Sequence, residues 1–163
     1  MGLKQNSVSR TGSKINSVPI KDKIMSDIQY PISGSCQCGK VTFSLLSAPK
    51  MILACHCKEC QKLATSAFSL TAVVERDSVK IEGELADWER YADSGNINSA
   101  KFCPSCGNRI YHYDPKQPNI LKFKGISSLD DTRMLIPEIH VWVSEKQDWF
   151  VIPDGVKTFD KQP

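Results

Sequence analysis

From residue 32 onward the chain is a series of short apolar runs set between turn residues. Residues 41–45 alternate apolar and polar positions, the period of a half-buried strand. Residues 68–74, 78–81, 88–91, 98–102, 120–123 and 138–143 also read as strands. Gly34, Gly83, Gly95, Gly107, Gly125, Pro115 and Pro118 punctuate them. The helical segment of note is 58–64. There is no internal repeat and no alternation of strands with helices, so the pattern predicts a mostly β fold of antiparallel sheets. Residues 1–30 differ in texture: they are rich in Ser, Lys and Asn, with single scattered apolar residues and no sustained period. They are expected to form a flexible basic N-terminal arm ahead of one domain over 31–160.

Charge sharpens this division. The formal net charge is +3. The arm carries five basic residues against two acidic ones, and the rest of the chain has sixteen of each. The folded part is therefore neutral by count, and seven thiolates holding two zinc ions would make it more negative. That argues against a core built for nucleic-acid backbones. At 163 residues, with 40% hydrophobic and 24% charged positions, the chain has the composition of one soluble domain with a proper core. No apolar stretch is long enough to cross a bilayer, and residues 1–30 contain no signal-peptide apolar region. No membrane association is expected.

The cysteines carry the chemistry. All seven fall in three clusters: Cys36-x-Cys38, Cys55-x-Cys57-x-x-Cys60 and Cys103-x-x-Cys106. Thiolates one or two residues apart can close on one metal ion, and zinc is the usual metal for such sets. A closed structural zinc takes four protein ligands, and an open one takes three. The three thiols of the middle cluster could wrap one face of a metal. The outer clusters then pair as a four-thiolate site of Cys36, Cys38, Cys103 and Cys106. Other groupings remain arithmetically open. Gly39 and Gly107, each just after a cysteine pair, permit the positive φ with which a zinc knuckle turns back. An odd count without a signal peptide disfavours a disulfide framework, and reduced cysteine ligands suit the cytoplasm.

The segments 34–39 (Gly-Ser-Cys-Gln-Cys-Gly), 55–62 (Cys-His-Cys-Lys-Glu-Cys-Gln-Lys) and 102–107 (Phe-Cys-Pro-Ser-Cys-Gly) resemble the glutathione-dependent formaldehyde-activating enzyme family, which includes centromere protein V. The stretches 125–131 and 137–142, followed by Asp148-Trp149-Phe150, are similar to it as well. The resemblance implies an Mss4-like β-tent fold, zinc-stapled, with Cys36, Cys38, Cys103 and Cys106 on a structural zinc and Cys55, Cys57 and Cys60 on a catalytic one. It implies an enzyme, a carbon–sulfur lyase like S-(hydroxymethyl)glutathione synthase. Such an enzyme joins or splits a glutathione-like thiol and a formaldehyde-like aldehyde through a zinc-bound thiolate. One departure stands out: the family usually has a glycine before Ser-x-Phe, whereas here Thr65 precedes Ser66-Ala67-Phe68. Threonine resists positive φ, so the shape beside the open metal is in question.

Other residues carry weaker expectations. His56 lies between two proposed ligands, but alternate side chains of an extended turn point apart, which turns it away. His112 could lie near either metal, and His140 reads as a hydrogen-bonded strand residue. Trp142, Trp149 and Phe150 read as core. Lys58, Lys62 and Arg109 are candidates to meet the carboxylates of a tripeptide thiol. Asp130-Asp131 reads as turn chemistry. The rival functions are a non-enzymatic zinc-binding interaction module acting through the arm, and a zinc or redox sensor using the middle cysteines.

Overall fold

The computed structural model describes residues 20–163, and residues 1–19 of the expected arm lie outside it. Residues 20–30, expected within that arm, are instead ordered against the domain. Ile20–Asp27 forms helix α1, Ile24 and Met25 pack on the core, and Ile28 is buried in it. The i, i+4 spacing of Ile24 and Ile28 puts both on one side. Single apolar residues among polar ones had masked this short stripe.

The expected mostly β fold is observed, as two sheets. The smaller contains β1 (Ile32–Ser35), β2 (Thr42–Leu45) and β5 (Val79–Glu82), antiparallel in the order β1-β2-β5. The larger has β3 (Met51–Cys55), β4 (Ser69–Glu75), β6 (Ala86–Tyr91), β7 (Ile97–Phe102), β8 (Arg109–Tyr113), β9 (Ile120–Phe123), β10 (Ile139–Val141) and β11 (Lys157–Phe159). Its order is β11-β10-β3-β4-β9-β8-β7-β6. Pairing is mostly antiparallel, as expected, with β10 the exception: it runs parallel to both β3 and β11. Long connections bring β10 and β11 back to the β3 edge, and parallel pairing requires such crossovers.

The core lies between the sheets. Phe43 and Leu45 of β2 meet Ala72 and Val74 of β4, Ile110 of β8, and Leu121 and Phe123 of β9. Phe43 and Phe123 pack edge to face at 5.3 Å, a geometry the ring quadrupoles favour. Gly34 lets the chain segment after β9 come close. A Cβ there would sit 2.4 Å from the Ser128 carbonyl oxygen and 2.7 Å from the Phe43 ring. That contact carries the bridge from Gly34 to Leu129, next to the hydrogen bond from Asp130 N to Ser33 O. Asp131 closes the following turn, accepting from the Arg133 N–H and pairing with its guanidinium, as expected of turn chemistry.

One face of each sheet is used by the core. The other face of the larger sheet, from β10 across to β6, floors an open cleft roofed at one end by helix α2 (Lys58–Ala64). Among the described residues no helix is long and apolar enough to cross a membrane.

Candidate metal centres and the cleft

The folded chain divides the seven cysteines into two groups. Cys36, Cys38, Cys103 and Cys106 come together, as do Cys55, Cys57 and Cys60, with the sulfur atoms of each group within 4.8 Å of one another. In the first group the Cys36–Cys38 and Cys38–Cys103 sulfurs are 3.5 and 3.6 Å apart. A tetrahedron of sulfurs about 2.3 Å from one zinc has edges of about 3.8 Å, so the set fits such an ion. The first two cysteines hang on the β1–β2 turn and the last two on the β7–β8 turn. Gly39 and Gly107 take φ of +77° and +74°, as each knuckle requires. Gln37 N donates to Asn108 Oδ1, and Lys40 Nζ to Ser105 Oγ, tying the knuckles together. This group therefore sits where the small sheet meets the large one. Burial works against the Cys36 thiolate, but the Val41 N–H and the neighbouring thiols outweigh it and draw its pKa down to about 6.

The second group sits where β3 runs into α2. Cys55 ends the strand, and Cys57 caps the helix, its sulfur accepting from the Cys60 N–H at 3.3 Å. Hydrogen bonds from Cys55 and Cys60 pull Cys57 down to about 2, and the same crowding pushes Cys55 far up. One thiolate is easy here and three are costly, which is the electrostatic demand a bound cation answers. All three residues face the cleft.

His56 is turned away, as expected. It is fully buried on the opposite side, its Nε2 2.8 Å from His140 Nδ1, inside a cage with Phe68 and Phe150. Burial first, then His140 and Lys146, hold His56 down to about 4, and burial lowers His140 as well. His140 is the hydrogen-bonded strand residue expected. Trp149 is not core: it is 71% exposed, while Phe150 carries the packing. Trp142 is half-buried at the cleft edge.

Thr65 ends α2 with φ +47° and ψ 42°, a left-handed conformation that a β-branched residue adopts at a cost. Its N–H still closes on Gln61 O. Thr65→Gly is expected to stabilise the protein by about 1 kcal/mol, because release of this strain exceeds the added freedom of the unfolded chain. Urea unfolding of both proteins checks the sign.

Lys124 is the functional candidate that the sequence did not single out. It follows β9, deep in the molecule yet open to the cleft, and its ammonium donates to Thr71 Oγ1 and Ser69 Oγ at 2.5 and 3.0 Å. Cys55 pairs with Ser69 across β3 and β4, so this lysine stands over the same corner as the three thiols. Burial lowers its pKa, while the cysteine charges oppose that. Among the described residues no carboxylate pairs with it.

The family model for the glutathione-dependent formaldehyde-activating enzyme matches residues 31–145, which spans all three cysteine clusters. The chain belongs to that family. No curated protein matches it. Among solved structures, a crystal structure of a Rhodobacter sphaeroides protein is similar at 16% identity and a TM-score of 0.46, over 78% of this chain and 98% of that one. The mostly β architecture expected from the resemblance is observed, with two cysteine groups that could hold metal ions.

Proposed function

We propose that this protein joins or splits the carbon–sulfur bond between a glutathione-like thiol and a formaldehyde-like aldehyde, with Cys55, Cys57 and Cys60 as the catalytic metal ligands. The observation that carries the reading is the convergence of three cleft-facing thiols beside one unpaired lysine in a chain of this family. The four-cysteine group is read as the structural site. Zinc held by the three thiols would supply a Lewis acid that stabilises a thiolate.

The protein's own groups account for the rest. In the forward direction the thiol loses its proton, sulfur bonds to the carbonyl carbon, and the π pair moves onto oxygen, which takes up a proton. Negative charge thus develops on one oxygen. Lys124, with two of its protons held by Ser69 and Thr71, keeps a third to donate to that oxygen. Gln61 fixes the approach from above. Its Nε2 donates to His56 O and Glu145 O, and its Oε1 accepts from Gln147, so α2 cannot swing over the thiols. Leu53 and Val141 give the cleft beside Cys55 an apolar wall, suited to a small carbonyl compound.

The test is the NMR exchange rate between formaldehyde plus glutathione and their adduct, with and without the zinc-loaded protein. Acceleration supports the reading, and its absence with two zinc ions bound defeats it. Lys124→Met should lower the enzyme-dependent rate about tenfold or more, the scale of losing one aligned donor. It should not lower the melting temperature, since it removes a buried charge that no carboxylate offsets. Lys124→Arg should recover part of the rate.

A further inference from the structure

The floor of the cleft opposite the three thiols is cationic, and its charges are unspent. Strand register sets this wall. Val73, Lys122 and His112 lie directly opposite one another across β4, β9 and β8, and Ala100 of β7 continues the row. Asn98 is two residues from Ala100, and Arg90 of β6 faces Asn98. Alternation along strands then puts Lys122, His112, Asn98 and Arg90 on one side of the sheet, and all four line the cleft. Arg109, at the start of β8, joins them with its guanidinium stacked 4.5 Å over the Trp88 ring.

Among the described residues these groups lack charged partners, and Arg90 spends only its Nη1, on the neighbouring Tyr91 O. Arg90 Nε, Arg109 Nη1 and His112 Nε2 are buried without a hydrogen-bond partner. His112 is only 3% exposed, and the Asn98 amide at its Nδ1, 3.2 Å away, leaves Nε2 to carry the proton toward the cleft. Burial first, then Lys124, Arg109, Lys122 and Arg90, keep this ring neutral. No ion pair among the described residues uses Arg90, Arg109 or Lys122. Lys58 and Lys62, expected as carboxylate partners, are engaged elsewhere, with Glu145 O and Glu59. Asp93 and Asp114 also line the cleft, at the β6–β7 turn and just past the end of β8. Donors left unpaired in a buried wall are costly unless something accepts from them.

We propose that Arg90, His112 and Lys122, flanked by Arg109, form a carboxylate subsite that takes an acid group of the thiol substrate while its sulfur reaches Cys55, Cys57 and Cys60. This rests on the thiol reading above and adds to it the residues that would tell an acidic thiol from an uncharged one. Uncharged thiols would fill the corner by the cysteines but not the wall. The geometry also divides the labour in the cleft. Lys124 serves the reacting oxygen, and the β6–β8–β9 wall serves recognition.

The experiment is an NMR titration of the zinc-loaded full chain with S-methylglutathione, which cannot react. S-methylglutathione diester is run beside it, and inorganic phosphate as competitor. The acid should bind at least tenfold tighter than the diester, shift the amides of Asn98, His112 and Lys122, and weaken as salt rises. Lys122→Gln and Arg90→Gln should each remove most of that preference and leave diester binding unchanged. Lys122 is exposed and Arg90 lies on the outermost strand, so both variants are expected to fold, and their spectra verify it. Phosphate that displaces the acid from wild type, and does so less effectively in Arg90→Gln, supports the subsite. Equal binding of acid and diester, or full affinity in both variants, overturns it. Because no turnover is read, failure of the lyase reaction leaves this result standing, and the converse holds too.

Discussion

Cys103→Ser is expected to yield no stably folded protein. Cys103 is wholly buried, belongs to the hydrophobic core cluster, and hangs on the turn that brings the larger sheet to the smaller. A structural zinc binds with about 10–16 kcal/mol, which matches or exceeds the 5–15 kcal/mol net stability of a typical domain. Serine offers a poorer ligand and buries a hydroxyl beside the three remaining thiols. Loss of amide dispersion in the NMR spectrum, with less than one zinc retained per chain, is the expected result. A dispersed spectrum with two zinc ions would remove the four-cysteine group from its proposed role as the structural site.

Cys57→Ser should act in the opposite manner, leaving the fold and taking the chemistry. The residue lies in the cleft and not in the core, and its structural duty is to cap α2 through the Cys60 N–H. Serine is a preferred cap residue, so the helix keeps its start. The expected outcome is a dispersed spectrum, one zinc ion instead of two, and thiol–formaldehyde exchange at the uncatalysed rate. An active, two-zinc Cys57→Ser protein would dismiss the three-cysteine group as the reaction centre. Together the two substitutions assign opposite duties to two cysteine groups that share one cleft, since Cys106 also borders it.

The legible parts of the sequence were those whose signal is local. Residues 41–45 and 120–123 alternate because one face is less buried, and they became β2 and β9; 98–102 also read as a strand and became β7. The 58–64 segment became α2, and the three cysteine clusters were plain from their spacings, while which of them come together was carried by the family resemblance. Strands whose signal depends on neighbours were missed. The β3 segment, Met51–Cys55, is apolar throughout, because Ile52 enters the core on one face while Leu53 and Cys55 give the cleft an apolar lining on the other. The β8 segment, Arg109–Tyr113, hid its period behind the knuckle and its aromatic residues. Lys124 and the Arg90–His112–Lys122 wall could not be read at all. The wall residues come from separate strands, 10 to 32 positions apart, and only register brings them to one face. Thr65 was legible as an anomaly. The structure resolves it by accepting the left-handed backbone rather than reshaping the turn.

Strand β6 closes the larger sheet and has a single hydrogen-bonded neighbour, β7. Its residues alternate half-buried and exposed, and none enters the core cluster. Arg90 therefore sits where substitution disturbs little else, unlike the cysteines, which are each bound to others. Lineages could exchange one thiol acid for another by drift along this border strand while the reaction centre stayed fixed. Surveys of natural variants should find the preference for the acid's size and charge changing with position 90 far more readily than with any residue of β3, β4 or α2.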